Sequence, residues 1–462
     1  MSKLIITKES ALLRKAHLYV LGCKVNQAEI DSIAGFLENN GFQIDPECES
    51  PELIFVNTCC VTDSAAGKSR RTIKRMSEKY PGSRLLVAGC LAEIDPEMII
   101  GVAPKAIVLG TQAKDHYPDI ILGDNMKIAS LALPPASSCT DFSDAWQILR
   151  PSRSRAFLKV QDGCSHRCSY CIVPIARGPS RSMDLKKAVQ GAQRLEDAGY
   201  SEIAITGIHL GAYGRDLSPR ITLANLVLGL LKNTSNCRFR LSSIEPQEFS
   251  NQLLNLISQT PRVCRHFHIP VQSGDDGILK NMQRPYKTDL ALKLLEKLLD
   301  LIPDACIGMD VIVGFPGETD ISFEKTEKFI RESGCSYLHV FPFSPRKGSL
   351  AYGFPNRVPT KVARSRVRAL RILSAELRSK FIKKFLGRRL EALIESPSTV
   401  SGGWSSGLTD NYISVKIREI NGNLVRKVVP VNIYKVSGQE AYASICKSEA
   451  TFLTIGNHNI EV

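Results

Sequence analysis

Three cysteines fall within eight residues in Cys164-Ser165-His166-Arg167-Cys168-Ser169-Tyr170-Cys171, a C-x3-C-x2-C spacing directly after an apolar run. Three thiolates held in one short loop can ligate three irons of a four-iron cubane. No fourth cysteine lies nearby, so the fourth iron is left open to another ligand. A structural zinc site needs four protein ligands and closure. His166 is the available fourth group, and inside the loop it is poorly placed to complete a tetrahedron. A second set is dispersed: Cys23, Cys59 and Cys90 stand in Gly22-Cys23, Asn57-Thr58-Cys59-Cys60 and Gly89-Cys90, each just past a short apolar run. Cys48, Cys60, Cys139, Cys237, Cys264, Cys306, Cys335 and Cys446 read as structural.

The elements that would position these groups alternate strand and helix. In the first region, apolar runs at 17–21, 53–56 and 85–88 predict buried strands. Helical periodicity follows near 27–38, 64–78 and 96–100. That alternation implies an open parallel sheet with crossover helices. The carboxyl ends of its strands share one edge, where ligands sit, so Cys23, Cys59 and Cys90 are expected to converge there. Residues 128–150, with Pro134-Pro135-Ala136-Ser137-Ser138, read as a linker. From 151 to 385, strands predicted at 156–160, 202–206, 237–241, 266–269, 306–311 and 337–341 alternate with helices such as 186–198 and 290–301. Six such units without a seventh or eighth predict a partial parallel barrel, with its active groups at the carboxyl ends of the strands. A helix over 361–385 carries Arg364, Arg368, Arg371 and Arg378 as a basic stripe, with Leu370, Leu373, Leu377 and Phe381 on its apolar face. The stripe suits RNA phosphate or a plain solvated face. Beyond 386, alternating runs at 412–417 and 424–429, broken by Gly402-Gly403 and Asn421-Gly422-Asn423, predict a small β-barrel. The expected architecture is α/β: an N-terminal domain over 16–127, a central barrel over 151–385 and a C-terminal β-barrel over 386–455.

Sixty Lys and Arg against 46 Asp and Glu give a formal charge of +14. An imbalance of that size favours a polyanionic partner, nucleic acid before an anionic membrane surface. The 14 cysteines of a 462-residue chain do not suit a small disulfide-stapled scaffold. Residues 1–15 lack the apolar stretch of a signal peptide, and no segment reaches the roughly 20 apolar residues of a membrane span. The expectation is a reducing cytoplasm, where clustered cysteines bind metal.

The C-x3-C-x2-C loop, with an aromatic before its last cysteine, resembles the radical S-adenosylmethionine (SAM) superfamily. The resemblance sharpens to the methylthiotransferases and covers nearly the whole chain. Leu21-Gly22-Cys23-Lys24-Val25-Asn26-Gln27, Asn57-Thr58-Cys59 and Ala88-Gly89-Cys90 match that family's N-terminal cysteine sites. Thr206-Gly207-Ile208-His209-Leu210-Gly211, Arg240-Leu241-Ser242-Ser243-Ile244-Glu245-Pro246, His268-Ile269-Pro270-Val271-Gln272-Ser273-Gly274 and Gly314-Phe315-Pro316-Gly317-Glu318 match its barrel segments in order. The C-terminal barrel looks like a TRAM domain, an RNA-binding module.

The resemblance implies two [4Fe–4S] clusters. Cys164, Cys168 and Cys171 would hold the one at which SAM binds and is cleaved to a radical. Cys23, Cys59 and Cys90 would hold the one from which sulfur is delivered, after a second SAM has supplied the methyl group. Tyr170, Thr206, Gly207, Ser242, Gln272 and Val313 are the implied SAM contacts. The implied reaction places a methylthio group at an unactivated C–H position, which proton transfer activates poorly; no acid or base residue is assigned. The family divides between tRNA bearing N6-threonylcarbamoyladenosine, tRNA bearing N6-isopentenyladenosine, and a ribosomal-protein aspartate. The basic charge favours tRNA. Lys24-Val25-Asn26-Gln27 after the first cysteine and Gly407-Leu408-Thr409-Asp410-Asn411-Tyr412 resemble the threonylcarbamoyladenosine branch, which acts at carbon 2 of adenosine 37. The implied partners are the tRNA anticodon stem-loop and a reductase or flavodoxin-type electron donor, with no membrane. The alternatives are the isopentenyl substrate and a non-catalytic iron–sulfur RNA-binding protein. The open iron speaks against the latter, because electron carriers close their clusters with four ligands.

Overall fold

A computed structural model of the chain describes residues 14–123, 135–143, 154–396, 403–418 and 424–446. The chain divides into two compact units, Met1–Cys139 with Ser143–Arg150, and Thr140–Phe142 with Pro151–Val462. Among the described residues, no helix is long and apolar enough to cross a membrane.

The first unit is a parallel sheet of β1 (Arg14–Val20), β2 (Phe42–Ile44), β3 (Leu53–Thr58), β4 (Arg84–Gly89) and β5 (Ile107–Leu109), in the order β2-β1-β3-β4-β5. β3 is buried at every position, as a central strand covered on both faces requires. Helix α1 (Lys24–Asn39) follows β1, α2 (Asp63–Lys79) follows β3, and α3 (Cys90–Ile94) and α4 (Pro96–Val102) follow β4. Start signals in the sequence fix these helices: Thr62 Oγ1 accepts Ala65 N at 3.1 Å, and Asp95 caps α4 ahead of Pro96. Ile30, Ile33 and Leu37 of α1 bury against Phe55 and Leu86, each such side chain contributing about 1.5–3 kcal/mol. The three predicted strands are present and extend slightly further. β2 and β5, three residues each, are additions at the edges.

Part of the predicted linker is docked. Residues 136–138 form a turn whose Ala136 N donates to Glu93 Oε1 at 2.8 Å. Residues 124–134 and 144–153, which include most of that segment, lie outside the described residues.

The second unit opens with β6 (Ala156–Lys159) and continues through β9 (Glu202–Thr206), β10 (Arg238–Leu241), β11 (His266–His268), β12 (Cys306–Val313) and β13 (Tyr337–Pro342). β6, β9 and β10 pair in parallel, as do β11, β12 and β13. The two triplets join where Phe239 N donates to Arg262 O at 2.7 Å and Cys264 N to Phe239 O at 2.8 Å. Six parallel strands in sequence order, with a helix after each turn, make the expected partial barrel. A short ribbon, β7 (Gln161–Asp162) with β8 (Arg181–Ser182), flanks the cysteine loop.

The long helix Thr360–Lys383 leads into a closed barrel of β14 (Arg389–Ser396), β15 (Trp404–Thr409), β16 (Ser414–Arg418), β17 (Val428–Ser437) and β18 (Glu440–Ile445). Ala392, Ile394, Val415, Ile417, Val431 and Ile433 fill it, and Phe381, Ile382 and Phe385 from the helix end pack on them. Two expectations change. Arg378 does not belong to the open basic stripe: it donates to Cys306 Sγ at 3.3 Å and also to Tyr412 O, while Arg364, Arg368 and Arg371 stay exposed. The run 424–429 is a turn until β17 begins at Val428.

The base of the parallel barrel is closed by an ionic plug. Glu202 is fully buried and receives Arg240 Nε at 2.7 Å and Arg238 Nε at 2.8 Å. The two guanidinium groups also reach Leu408 O, Thr409 O and Asp410 O. Burial opposes the Glu202 charge, but Arg240 and Arg238 prevail and hold its carboxyl down at about 2. Residues 408–412, a signature of the C-terminal domain in the sequence, therefore have a structural task inside this unit. Tyr412 stacks on His266 with ring centroids 3.9 Å apart.

Candidate active site

In the first unit, β1, β3 and β4 are direct neighbours and all parallel. Cys23, Cys59 and Cys90 follow their carboxyl ends. Adjacent strands lie about 4.8 Å apart, so three neighbouring strand ends span only about 10 Å. Cys23 is the cap residue of α1, Cys90 opens α3, and Cys59 lies between β3 and α2. Cys23 is exposed, whereas Cys59 and Cys90 are buried.

Amides and hydroxyls tie these ends together. Asn26 Nδ2 donates to Leu21 O at 2.7 Å and to Thr58 O at 2.9 Å. Thr58 Oγ1 donates to Ala88 O at 2.6 Å and accepts Leu91 N at 3.2 Å. Ser69 Oγ accepts Cys59 N and donates to Cys59 O. Gly22 has φ +99°, and a Cβ there would stand 2.9 Å from Cys59 Sγ. Only glycine both adopts that turn and leaves the Cys59 sulfur its space. Three thiols on neighbouring strand ends, with a bare backbone beside one of them, fit an iron–sulfur cluster.

In the second unit, the C-x3-C-x2-C loop leaves the β6–β7 segment and is tied at both ends. Cys164 N donates to Gly178 O at 3.0 Å, Ser169 N to Met282 O at 3.0 Å, and Ala351 N to Ser169 O at 2.7 Å. Gly163, at φ +69°, passes so close to Pro179 O that a Cβ would stand 1.9 Å from it. Arg284 Nη1 donates to Cys168 Sγ at 3.3 Å and its other nitrogens meet Glu245, Tyr286 Oη and Pro270 O. Val173 N donates to Cys171 Sγ at 3.4 Å. Cys164 Sγ lies 3.6 Å from His209 Nδ1, and His209 Nε2 lies 2.8 Å from Glu248 Oε1.

The charges around the sulfurs follow from this arrangement. Burial pushes the Cys171 thiol up to about 12, and burial raises Cys168 against the opposing pull of Arg284. Burial works against a charged His209, yet Cys164 and Glu248 raise the ring to about 10. N–H donors aimed at sulfur and a cationic Arg284 suit thiolates that share an anionic cluster. This donor set fits a [4Fe–4S] group. His166 does approach: with Cys164 and His209 it forms a group whose ligand atoms lie within 4.8 Å of one another, its ring centroid 4.2 Å from that of His209. That group leaves out Cys168 and Cys171.

The groups expected to meet SAM occupy successive strand ends on the same side of the barrel. Thr206 and Gly207 end β9, Ser242 follows β10, Gln272 lies beyond β11 and Val313 ends β12. Ser242 Oγ is occupied by Ile205 O at 2.6 Å. Gln272 has φ 71°, an uncommon conformation for a non-glycine residue, held by Gln272 N to Asp310 O and Ile312 N to Gln272 O. Tyr170 stands between Cys168 and Cys171, its hydroxyl pKa raised by burial. Arg284, Glu245, His209 and Glu248 were not singled out from the sequence. They come from three separate segments, Glu245 and Glu248 sharing the one after β10, and only their presence in or near the matched segments hints at them.

Comparison with known proteins supplies the class. Residues 158–330 match the family described as the Radical SAM superfamily, and residues 15–110 match Uncharacterized protein family UPF0004. Among solved structures, the radical S-adenosylmethionine methyltransferase TsrM from Kitasatospora setae aligns with a TM-score of 0.52, covering 71% of this chain and 73% of that one at 14% identity. That likeness speaks for the fold alone. Among curated proteins, the threonylcarbamoyladenosine tRNA methylthiotransferase MtaB of Bacillus subtilis is 34% identical over 90% of this chain and 93% of its own length. The MtaB proteins of Rickettsia prowazekii and Thermotoga maritima are 34% and 32% identical, over 87% and 92% of this chain. The chain belongs to the MtaB-type family of radical SAM methylthiotransferases. Its cofactors are accordingly SAM and two [4Fe–4S] clusters.

Proposed function

We propose that this chain adds a methylthio group to carbon 2 of N6-threonylcarbamoyladenosine 37 in tRNA. The observation that carries this reading is similarity to MtaB proteins along about nine-tenths of the chain, with a three-cysteine site in each compact unit. When bound, SAM and the clusters supply a radical able to take hydrogen from an unactivated carbon, and the sulfur and methyl group that replace it.

The chain's own residues hold and orient. Cys164, Cys168 and Cys171 would ligate the cluster that binds SAM, with Arg284 and Val173 N–H groups stabilising sulfur charge. Cys23, Cys59 and Cys90 would ligate the second cluster, with the Asn26–Thr58–Ser69 bonds setting the spacing of the ligands. Tyr170, Thr206, Gly207, Ser242, Gln272 and Val313 would line the SAM site. Ser242 gives both its N–H and its hydroxyl hydrogen to Ile205 O, so its part would be as an acceptor. Arg364, Arg368 and Arg371 on the long helix, with the C-terminal barrel, would bind phosphates of the anticodon stem-loop. The working division of the chain is 16–127 for the second cluster, 151–385 for the SAM-binding core and 386–455 for RNA. A reductase or flavodoxin-type protein would deliver electrons, and the setting would be the cytoplasm.

The test is mass spectrometry of tRNA nucleosides from cells with and without the gene. Loss of the methylthio form, with N6-threonylcarbamoyladenosine accumulating, is the expected result. Loss of the isopentenyl counterpart instead would transfer the protein to the sister branch, and no change in any nucleoside would overturn the tRNA assignment.

A further inference from the structure

The face of the parallel barrel turned away from its helices carries a second group of metal-ligating side chains, which the iron–sulfur chemistry does not use. On β12, Ile307, Met309, Val311 and Val313 are buried on one side, while Asp310 and Ile312 on the other are partly open. On β13, Leu338 and Val340 are buried, and His339 and Phe341 are exposed. Asp310 and His339 are register partners, and His268 at the end of β11 stands beside them.

Their ligand atoms form a nearly equilateral triangle. His268 Nε2 lies 3.2 Å from His339 Nδ1 and 3.1 Å from Asp310 Oδ1, and His339 Nδ1 lies 3.1 Å from the same Asp310 oxygen. Two imidazole N–H groups directed at one oxygen from so close together would crowd their protons. A divalent ion held at ~2.1 Å by two nitrogens and a carboxylate oxygen requires a triangle of this kind, with ligands about 3.0–3.4 Å apart. Ser243 Oγ lies 2.7 Å from His268 Nδ1. A proton on Nδ1 donated to that oxygen leaves the Nε2 lone pair facing Asp310, the outer bond that metal-ligating histidines commonly have.

His339 is half exposed, which leaves positions free on one side. Asp310 is three residues before Val313, about 10 Å from the carboxyl edge of the strand. We propose that His268, Asp310 and His339 bind one divalent transition-metal ion of the Zn2+ or Fe2+ class, whose open positions take a carboxylate of the substrate. The second half rests on the function proposed above: the threonyl group of N6-threonylcarbamoyladenosine ends in a carboxylate, which plain adenosine lacks.

The test uses the full chain with both clusters in place. Equilibrium dialysis against Zn2+ is expected to find one more bound zinc per wild-type chain than in Asp310→Asn or His339→Ala, with iron content equal in all three. His339 is exposed, so its variant should fold, and a matching circular dichroism spectrum checks this. Equal zinc in wild type and variants overturns the metal site, whatever the nucleoside analysis shows. The ligand is tested with the free nucleosides. Zn2+ should tighten binding of N6-threonylcarbamoyladenosine at least about tenfold and leave adenosine unchanged. Equal tightening of both overturns the carboxylate assignment.

Discussion

The two cysteine sites solve one problem in opposite ways. In the second unit, three cysteines stand within eight consecutive residues, and the fold must supply the surroundings: Arg284, Glu245, His209 and Glu248 come from distant turns and are mostly charged. In the first unit, the cysteines follow three separate strands, and parallel pairing sets those strand ends side by side. Among the described residues, Asn26 Oδ1 lies 3.7 Å from Cys23 Sγ and Ser69 Oγ accepts Cys59 N. Three thiols within one loop have their spacing set by the chain itself. Thiols spread over three strands depend on the sheet register, and bonds between neighbouring strand ends, such as Asn26 Nδ2 to Thr58 O, secure it.

The largest expected contrast comes from the ligands. Cys168→Ala should remove one cluster and abolish SAM cleavage, whereas Cys59→Ala should remove the other and leave cleavage standing, as followed by iron content and 5′-deoxyadenosine formation. Loss of cleavage in both variants would collapse the distinction. Next is Glu202→Gln, which leaves Arg238 and Arg240 short of their buried partner and should cost about 3–5 kcal/mol in denaturant unfolding of the second unit. The first unit should melt unchanged.

Acid sharpens the same contrast. The Glu202 carboxyl is depressed from an ordinary 4.5 to about 2. Its contribution is complete above pH 4.5 and is lost as pH falls towards 2. Glu202→Gln should flatten the acid slope of stability in that window, and an unchanged slope would contradict the ionic plug.

Arg284→Met should shift the potential of the barrel cluster and lower its activity about 10–100-fold, without altering iron content. A potential that stays put would reduce Arg284 to packing. The smallest effect is expected at Thr58→Val, which removes the hydroxyl joining β3 to Ala88 and Leu91. It should cost about 1–3 kcal/mol, confined to the first unit and read by its thermal unfolding.

Legibility in the sequence follows the same division. The C-x3-C-x2-C loop is local and visible at once. The placement of Cys23, Cys59 and Cys90 at the ends of neighbouring strands is legible because each apolar run stops at a cysteine and parallel sheets align such stops. β2 and β5 escaped notice because three residues carry no periodicity. His268, Asp310 and His339 lie on three strands with no shared spacing, and only the register of β12 with β13 reveals them. Arg378 counted as part of a basic stripe because helical spacing gives the side of a helix, not what covers it.

The most direct test of the account is a paired assay on one reconstituted preparation. The Cys23→Ala/Cys59→Ala/Cys90→Ala variant and the wild type would be given SAM, reductant and tRNA bearing N6-threonylcarbamoyladenosine, and both 5′-deoxyadenosine and methylthiolated nucleoside would be measured. The predicted result is 5′-deoxyadenosine from both proteins and methylthio product from the wild type alone. Methylthio product from the variant would contradict the assignment of sulfur delivery to the first unit.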